Sequence, residues 1–356
     1  MKTYNHLFAQ ISSFDNLDNA WHKARRGKRA KPGVAAFEFN AEGELLQLQR
    51  ELQDKSYRPG PYRSFLIHDP KKRKISAAPF RDRVIHHALC NVLEPIYEPK
   101  FIYDSYANRV GKGTHRALDR AQAFARGHQY VLKCDIETFF PAIDHAILRQ
   151  ILCHHIVCEE TRWLMGQIID SGRGILTAEY RLRWFPGDDL LAAIRPRGLP
   201  IGNQTSQFWA NVYLNPLDHF IKRELKCRAY CRYVDDFLLF HDDKQTLHQW
   251  RQEIEQFLTT LRLTIHPEKS VHFPIANGIP FLGFILFPQQ RRLLKQNVKA
   301  FLRRFRGQRR AIRQGETVWA DVKPSLVSWN AHAAHGNTYH LRRNLFQQRL
   351  IPPDRR

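Results

Sequence analysis

Residues 231–240, Cys-Arg-Tyr-Val-Asp-Asp-Phe-Leu-Leu-Phe, place two adjacent carboxylates inside a largely apolar run. The flanking segments have the composition of buried strands, where an ionised group loses its hydration and needs a partner. A bound cation is the natural partner for Asp235 and Asp236. The stretch therefore predicts a β-hairpin that carries a metal-binding pair of aspartates.

A third carboxylate lies one hundred residues earlier, in the segment 131–144. There Asp135 closes a short apolar strand and precedes an aromatic turn. Aspartates from two distant strands can hold two Mg²⁺ ions about 3.5–4 Å apart, with Mn²⁺ as an alternative ion. That geometry serves in-line phosphoryl transfer, because one ion activates a 3′-hydroxyl and the other neutralises the leaving pyrophosphate.

The composition indicates a globular protein that binds a polyanion. Of the 356 residues, 56 are Lys or Arg and 34 are Asp or Glu, which gives a net charge of +22. Such a surplus favours nucleic acid, since neutralised phosphates release counterions. A membrane surface is the alternative partner, but no apolar stretch approaches the roughly 18 residues of a spanning helix. No signal peptide is evident, and six scattered cysteines are typical of reduced thiols, so we expect a cytoplasmic protein that has no membrane partner.

Hydrophobic periodicity predicts the order of the elements. Helices are expected over residues 1–60, 82–98, 143–170, 208–220 and 243–261, the last capped by Asp243. A hairpin with a basic tip is predicted within 61–85, an inserted loop over 181–196 and a glycine-rich turn over 197–207. Three domains follow from this order: an N-terminal helical extension (1–60), a central unit (61–290) and a basic helical unit (291–356).

Two basic segments are candidates for contact with a primer and template. Lys299 to Arg313 contains seven Lys or Arg and no acid, while its apolar residues keep helical spacing. One face of this helix is expected to pack and the other to lie along phosphates, through Arg303, Arg304, Arg309 and Arg310. In the segment 105–117, glycines around Arg109 suit a close approach of the backbone to phosphate.

Taken in order, five motifs resemble those of reverse transcriptases, and more narrowly the bacterial diversity-generating-retroelement type. They are Asp135 with Phe139-Phe140, Gly-Leu-Pro-Ile-Gly-Asn-Gln-Thr-Ser-Gln (198–207), Tyr-Val-Asp-Asp (233–236), His-Pro-Glu-Lys (266–269) and Phe-Leu-Gly-Phe (281–284). The resemblance spans about residues 15–345. It implies an α+β right-hand polymerase fold, with fingers and an antiparallel palm sheet over 61–290 and a short helical thumb after them.

The resemblance also assigns roles to individual residues. Asp135, Asp235 and Asp236 are the expected metal ligands, joined by the carbonyl of Ile136, and Lys269 is the expected proton donor to pyrophosphate. The ring of Phe140 is the expected steric gate against ribonucleotides. The remaining nucleotide contacts are expected from Lys71, Arg73, Ile201, Gly202 and Gln207, and the primer grip from Phe281, Leu282 and Gly283.

Two positions depart from the retroviral and intron-encoded pattern, which has glutamine where this chain has Ile201 and proline where it has Gln207. Isoleucine cannot donate or accept a hydrogen bond with the incoming nucleotide, so we expect weak discrimination between right and wrong base pairs and a low-fidelity enzyme.

The expected reaction is RNA-templated DNA synthesis, and three alternatives stay open. An RNA-dependent RNA polymerase shares the aspartates but usually has a polar residue at the position of Phe140. A non-catalytic, maturase-like RNA-binding protein keeps the fold without the chemistry. Within reverse transcription, the enzyme serves either a diversity-generating retroelement or antiviral defence. Expected partners are dNTPs, a template RNA or structured noncoding RNA, the cDNA/RNA hybrid and, for the retroelement, a small basic accessory protein.

Overall fold

The computed structural model describes residues 2–67 and 73–349. The chain begins with four helices that lie within the predicted helical extension. They are α1 (Phe8–Ile11), α2 (Phe14–Arg25), α3 (Pro32–Phe39) and α4 (Ala41–Gln53). Helix α2 packs on the long helix α5 (Phe80–Tyr97), so the extension is joined to the central unit through a shared core. The Ser13 side chain caps α2 by accepting a hydrogen bond from the Asn16 amide.

The predicted basic-tipped hairpin is present as β1 (Arg63–Ile67) and β2 (Arg73–Ala77), paired antiparallel. Its tip, including Lys71, lies outside the described residues. All five residues of β1 are exposed, whereas β2 is tied to the rest of the molecule. The amide of Ser76 donates to the carbonyl of Ile201 at 3.0 Å, which joins the hairpin to the predicted glycine-rich turn.

The centre of the molecule is an antiparallel four-stranded sheet, the palm sheet, with strand order β4-β5-β3-β6. Its strands are β3 (Tyr130–Asp135), β4 (Tyr230–Tyr233), β5 (Asp236–His241) and β6 (Val271–Pro274). Side chains alternate between its two faces. Leu132 and Leu239 enter one hydrophobic core, while Val131 and Phe240 enter a second, so both faces of the sheet are covered.

Helices pack into both of these cores. Helix α6 (Thr114–Arg126) contributes to the second core. The first core receives α7 (Phe139–Ala142), α8 (His145–Cys153), α9 (Glu159–Ser171), α10 (Gln204–Arg223) and α11 (Lys244–Thr260). Asp243 caps α11 as predicted, accepting hydrogen bonds from the amides of Gln245 and Thr246. Helix α10 begins four residues before the predicted Phe208.

A second sheet and three helices form the C-terminal part. The sheet contains β7 (Ile279–Phe281), β8 (Phe284–Leu286) and β9 (Arg291–Leu293), and the helices are α12 (Lys295–Arg313), α13 (Trp319–Ala334) and α14 (Tyr339–Arg349). The apolar stripe predicted for α12 is buried as expected, and the ring of Phe301 stacks on Trp329 at 3.8 Å. The predicted boundary at residue 290 falls between two paired strands, β8 and β9. The three-domain division stays a prediction.

The fold is α+β with antiparallel sheets, as the sequence predicts. The inserted loop predicted at 181–196 contains only a short 3₁₀ turn at Leu190–Ile194. In the described part of the chain, none of the helices combines the length and the apolar character that crossing a membrane requires.

Candidate active site

The three aspartates meet at one end of the palm sheet. Asp135 is the last residue of β3 and lies directly opposite Asp236, the first residue of β5. Asp235 lies in the two-residue turn between β4 and β5, and its carbonyl accepts a hydrogen bond from the Ile136 amide at 3.2 Å. The Asp135 carbonyl accepts from the His266 amide at 2.7 Å, which brings the His-Pro-Glu-Lys segment to the same place. Antiparallel pairing thus joins residues one hundred positions apart.

The turn that carries the aspartates has a strained backbone. Val234 adopts a φ of +57°, a left-handed conformation that is uncommon for any residue but glycine and an outlier for a β-branched one. Such a conformation costs about 1–3 kcal/mol and persists only where surrounding contacts enforce it. One of these contacts is a hydrogen bond from the Arg232 guanidinium to the Val234 carbonyl at 3.0 Å.

Burial and mutual repulsion favour the neutral forms of the two turn carboxyls. Burial raises the pKa of Asp235 to about 6, and the negative charge of Asp135 adds to the shift, against the opposing charges of Arg73 and Lys269. Burial likewise raises the pKa of Asp236 to about 7, where Asp135 and Asp235 oppose its ionisation and Lys133 favours it. The site therefore has three carboxylates close enough to repel one another, and the nearby cations Arg73, Lys133 and Lys269 offset that repulsion only in part.

The chemistry of this site fits a divalent cation. Asp236 Oδ1 is buried and has no hydrogen-bond partner among the residues that the structure describes, so a carboxylate oxygen is available to a ligand. Two lysines lie against the other carboxylate oxygens: Lys133 Nζ is 3.5 Å from Asp236 Oδ2, and Lys269 Nζ is 3.6 Å from Asp135 Oδ2. Within residues 2–67 and 73–349, no three Asp, Glu, His or Cys side chains surround a common point as metal ligands. Holding two ions would therefore require the aspartates to turn toward each other and away from the lysines.

The residues predicted to contact the nucleotide lie on two sides of this cluster. Arg73, exposed at the start of β2, and Lys269, also exposed, both act electrostatically on Asp235. Phe140 is partly buried in α7, and its carbonyl accepts from the Leu199 amide at 2.9 Å. These contacts join the basic hairpin, the aromatic turn and the glycine-rich turn. Their roles in nucleotide binding stay predictions.

The glycine-rich turn is fixed by an asparagine that sequence reasoning did not single out. Asn203 is buried, and its amide group donates to the carbonyls of Ser76 and Pro200 and accepts from the Ala78 amide, at 3.1–3.2 Å. Gly202 has a φ of +117°, and a Cβ there would lie 3.0 Å from the Ile75 side chain. Ile201 is partly buried beside this contact. The turn is therefore docked on β2, the strand that begins at Arg73.

Gln207 and Arg109 lie on a different surface. Both line an open groove of about 590 Å³ between α5 and α10. The Arg109 guanidinium forms an ion pair with Glu98 at 2.7 Å and donates to the carbonyls of Ile102 and Ser105, with 6% of the side chain exposed. These contacts give Arg109 a structural role in holding its loop. Its predicted contact with a primer or template, like that of Gln207 with a nucleotide, stays a prediction.

The predicted primer grip is a second two-residue hairpin. Leu282 and Gly283, with φ values of +46° and +89°, connect β7 to β8, as in a type I′ turn. Phe281 is buried, and the Gly283 carbonyl accepts from the amide of Leu294 at 3.1 Å. The hairpin is joined to the catalytic end of the palm sheet by Lys133, which donates to the Pro280 carbonyl at 2.7 Å.

The four basic residues predicted on α12 lie outside its buried stripe. Arg303, Arg304 and Arg310 are exposed and Arg309 is partly buried, while Phe301 and Phe305 pack inward. The helix is thus amphipathic as predicted, with a cationic outer face. Contact of this face with nucleic acid stays a prediction.

Arg232 and Asp218 are the functional residues that the sequence analysis missed. Both side chains are fully buried, and they form an ion pair beneath the catalytic turn. An arginine within the apolar segment 229–234 was a signal that a buried acidic partner was needed. Nothing in the spacing of the chain identified that partner as Asp218 on α10.

Comparison with known proteins agrees with this geometry. Residues 67–286 match the family described as reverse transcriptase (RNA-dependent DNA polymerase). Relatives include the protein YkfC of Escherichia coli, 24% identical over 70% of this chain and 72% of that protein. The group II intron-encoded protein LtrA of Lactococcus lactis is 28% identical over 51% of this chain, which corresponds to 28% of LtrA.

Similar folds among solved structures include apo telomerase from Candida tropicalis, with 12% identity, a TM-score of 0.46 and coverage of 67% of this chain and 49% of that one. The family match extends from β1 to β8 and contains the three aspartates, the glycine-rich turn and the second hairpin. Because that match covers more than half of its residues, the chain belongs to the reverse transcriptase family of RNA-dependent DNA polymerases.

Proposed function

We propose that this protein copies a dedicated RNA into DNA by a two-metal nucleotidyl transfer at the Asp135, Asp235 and Asp236 cluster. The observation that carries the proposal is the direct pairing of Asp135 with Asp236 beside the turn that holds Asp235. This pairing concentrates three carboxylates at the end of the palm sheet, with Arg73 and Lys269 close enough to influence Asp235.

In this proposal each side chain has a separate task. The three aspartates, with the Ile136 carbonyl, hold two Mg²⁺ ions, for which Mn²⁺ can substitute. When bound, the ions supply a lowered pKa for the attacking 3′-hydroxyl and positive charge for the leaving pyrophosphate. Lys269 donates a proton to that pyrophosphate, and Lys71 and Arg73 bind the triphosphate.

Sugar selection falls to Phe140. Its ring is partly buried and lies against the ring of Phe139, with 5.4 Å between the centroids, so moving it aside to admit a 2′-hydroxyl would cost packing. The expected substrates are therefore dNTPs, and the template is RNA held along the cationic face of α12.

The experiment that tests the function is primer extension on a primed RNA, with Mg²⁺ and either dNTPs or NTPs. Extension with dNTPs alone supports the proposal. Equal extension with NTPs would favour an RNA polymerase, and no extension with either set would contradict the assignment to this chain.

Fidelity is expected to be low because Ile201 supplies no hydrogen bond to the incoming nucleotide. Its carbonyl accepts a hydrogen bond from the Ser76 amide, and its side chain has no polar group to offer the nucleotide. Ile201→Gln is expected to lower the error frequency, measured by sequencing cDNA made by the variant and the wild type from one template. An unchanged error frequency would contradict the proposed role.

Template binding is expected to depend steeply on salt, because α12 presents cations to phosphates rather than to bases. Charge reversal at Arg303 and Arg310, both exposed, is expected to flatten the slope of log affinity against log salt by about one for each arginine that no longer neutralises a phosphate. An unchanged slope would exclude this face from the footprint.

For the biological role we favour a diversity-generating retroelement, in which mutagenised cDNA is copied from a template repeat with the help of a small basic accessory protein. The weak fidelity expected from Ile201 supports this choice. Antiviral defence, with cDNA made in the cytoplasm from a structured noncoding RNA, is the alternative. Sequencing the RNA that copurifies with the protein distinguishes a template repeat from a noncoding RNA of defence type.

A second function, maturase-like RNA binding without catalysis, is suggested by the similarity to LtrA, which is by its name a group II intron-encoded protein. The two functions respond differently to Asp235→Ala combined with Asp236→Ala. A retained biological output would favour binding alone, whereas its loss with unchanged RNA affinity would favour polymerisation.

A further inference from the structure

Beneath the catalytic turn lies an ion pair that the polymerase chemistry described above does not use. Arg232, on β4, and Asp218, on α10, each have no exposed side-chain surface. Arg232 Nε donates to Asp218 Oδ1 at 2.8 Å, and Nη2 donates to Oδ2 at 2.6 Å. The Tyr230 hydroxyl donates to the same carboxylate at 2.7 Å. This two-pronged geometry fixes the plane of the guanidinium.

The remaining face of the guanidinium points to the turn. Arg232 Nη1 donates to the Val234 carbonyl at 3.0 Å and to Asn211 Oδ1 at 3.2 Å. Val234 is the residue with the left-handed backbone, and its carbonyl belongs to the peptide that leads into Asp235. The guanidinium is held by Asp218 and Asn211, which both lie on α10. It therefore connects this helix to Val234, the strained residue that precedes Asp235.

Stability alone does not explain this arrangement. A buried ion pair is often no more stabilising than apolar residues of similar volume, because both charges lose their hydration. An apolar pair would fill the same space but would leave the Val234 carbonyl without its donor. The arginine adds a hydrogen bond that holds the Val234 carbonyl in place.

We propose that Arg232 is a positioning residue for nucleotidyl transfer: oriented by Asp218, it anchors the Val234 carbonyl and so fixes the turn on which Asp235 and Asp236 are presented. The inference rests on the proposed polymerase function. In this proposal the ion pair places the aspartates correctly for the transition state and does not contribute to substrate binding. Loss of the anchor should therefore lower kcat and leave the KM values for dNTP and primed RNA nearly unchanged.

The test uses the full chain with Asp218→Leu and Arg232→Met combined, which removes both charges and keeps the buried volume. Folding is followed by thermal unfolding, and primer extension gives kcat and KM. We expect a folded protein with kcat reduced about 100-fold, the loss typical of a small misplacement of catalytic groups. A kcat within about threefold of the wild type, in a folded variant, would overturn the inference.

A second pair of variants keeps the inference testable if the double variant fails to fold. Arg232→Lys retains a charge near Asp218 but loses the forked geometry, and kcat should fall. Adding Val234→Gly should restore kcat at least about fivefold, because glycine adopts positive φ without an anchor. A merely structural role predicts no such rescue, and its absence would overturn the proposal.

Tyr230→Phe is the matched control. It removes one hydrogen bond from Asp218 but leaves the contact between Arg232 and Val234 intact. Its kcat should match that of the wild type even where its melting temperature falls. A wild type that does not extend primers overturns the polymerase function together with this inference, whereas an active wild type and a folded double variant with a kcat within about threefold of it overturn the inference alone.

Discussion

The hairpins β4-β5 and β7-β8 both have two-residue turns, but the two turns differ in which residues adopt positive φ. The turn Leu282-Gly283 has glycine at its second position, and both residues adopt the positive φ values of a type I′ turn. The turn Val234-Asp235 has no glycine and places a β-branched residue at positive φ. The first turn has a glycine that eases its geometry, while the second depends more on tertiary contacts.

The difference between the two turns indicates that backbone geometry is more tightly constrained at the turn that carries the aspartates. In the β7-β8 turn Leu282 also adopts a positive φ, but glycine eases the next position, where the missing side chain leaves room for Asn297. A turn that its residues oppose must be held from outside, here by Arg232, Asp218 and Asn211. Strain of this kind concentrates at catalytic sites, where backbone geometry matters more than local stability.

Asp236→Asn gives the largest expected effect, because it removes charge from the strained hairpin at nearly constant volume. Primer extension should slow by at least about 10³-fold, since a carboxylate proposed to hold the catalytic ions is lost. Affinity for primed RNA should not fall. Asp242→Asn, at a carboxylate outside the site that accepts from the Gln129 amide, is the matched control and should retain activity. Extension by Asp236→Asn at the wild-type rate would mean that the strained turn does not carry the chemistry.

Lys133→Met should give an intermediate effect, because Lys133, on the strand that ends at Asp135, donates to the Pro280 carbonyl of the second hairpin. Without this link the primer end and the aspartates are no longer held at a fixed separation, and kcat/KM for primer extension should fall about tenfold. Lys244→Met, an exposed lysine at the start of α11, serves as the control. Equal activities for both variants would show that the hairpins act independently.

The smallest effects are expected from adding a side chain at Gly283 and removing one at Val234, which change the free energy of unfolding. Gly283→Ala should lower the free energy of unfolding by about 1–2 kcal/mol, because φ is +89° and the new Cβ would lie 3.0 Å from Asn297. Val234→Gly should change it less, since relief of strain offsets the added backbone entropy. Gly307→Ala, in α12 with open space around it, should stabilise by about 0.5–1 kcal/mol. Denaturant unfolding measures all three, and an equal loss at residues 283 and 234 would remove the distinction between the hairpins.

The sequence predicted the first-order features of this site because they depend on local pattern. Short apolar runs identified the strands that end at Asp135 and begin at Asp236, and Asp243 is identified as a helix cap by its position before an amphipathic run. The cationic stripe of α12 followed in the same way from helical periodicity.

The supporting contacts could not be predicted, because they join segments whose proximity only the folded chain reveals. Asp218 reaches Arg232 across 14 residues, Asn203 reaches Ser76 across 127, and Lys133 reaches Pro280 across 147. The same holds for Arg109. Its glycine-rich surroundings suggested a contact with phosphate, but they did not indicate that Glu98 and two carbonyls are its partners in the folded loop. Residue type and spacing thus identify the chemistry better than they identify the scaffold around it.

The central claim is that the three aspartates converge on a pair of divalent ions. Anomalous diffraction from crystals grown with Mn²⁺, primed RNA and a nonhydrolysable dNTP tests it most directly. We predict two peaks within ligand distance of the Asp135, Asp235 and Asp236 carboxylates, with the lysine at position 133 displaced from Asp236. Peaks elsewhere, or a nucleotide bound with the aspartates still paired to lysines and no metal between them, would contradict the account.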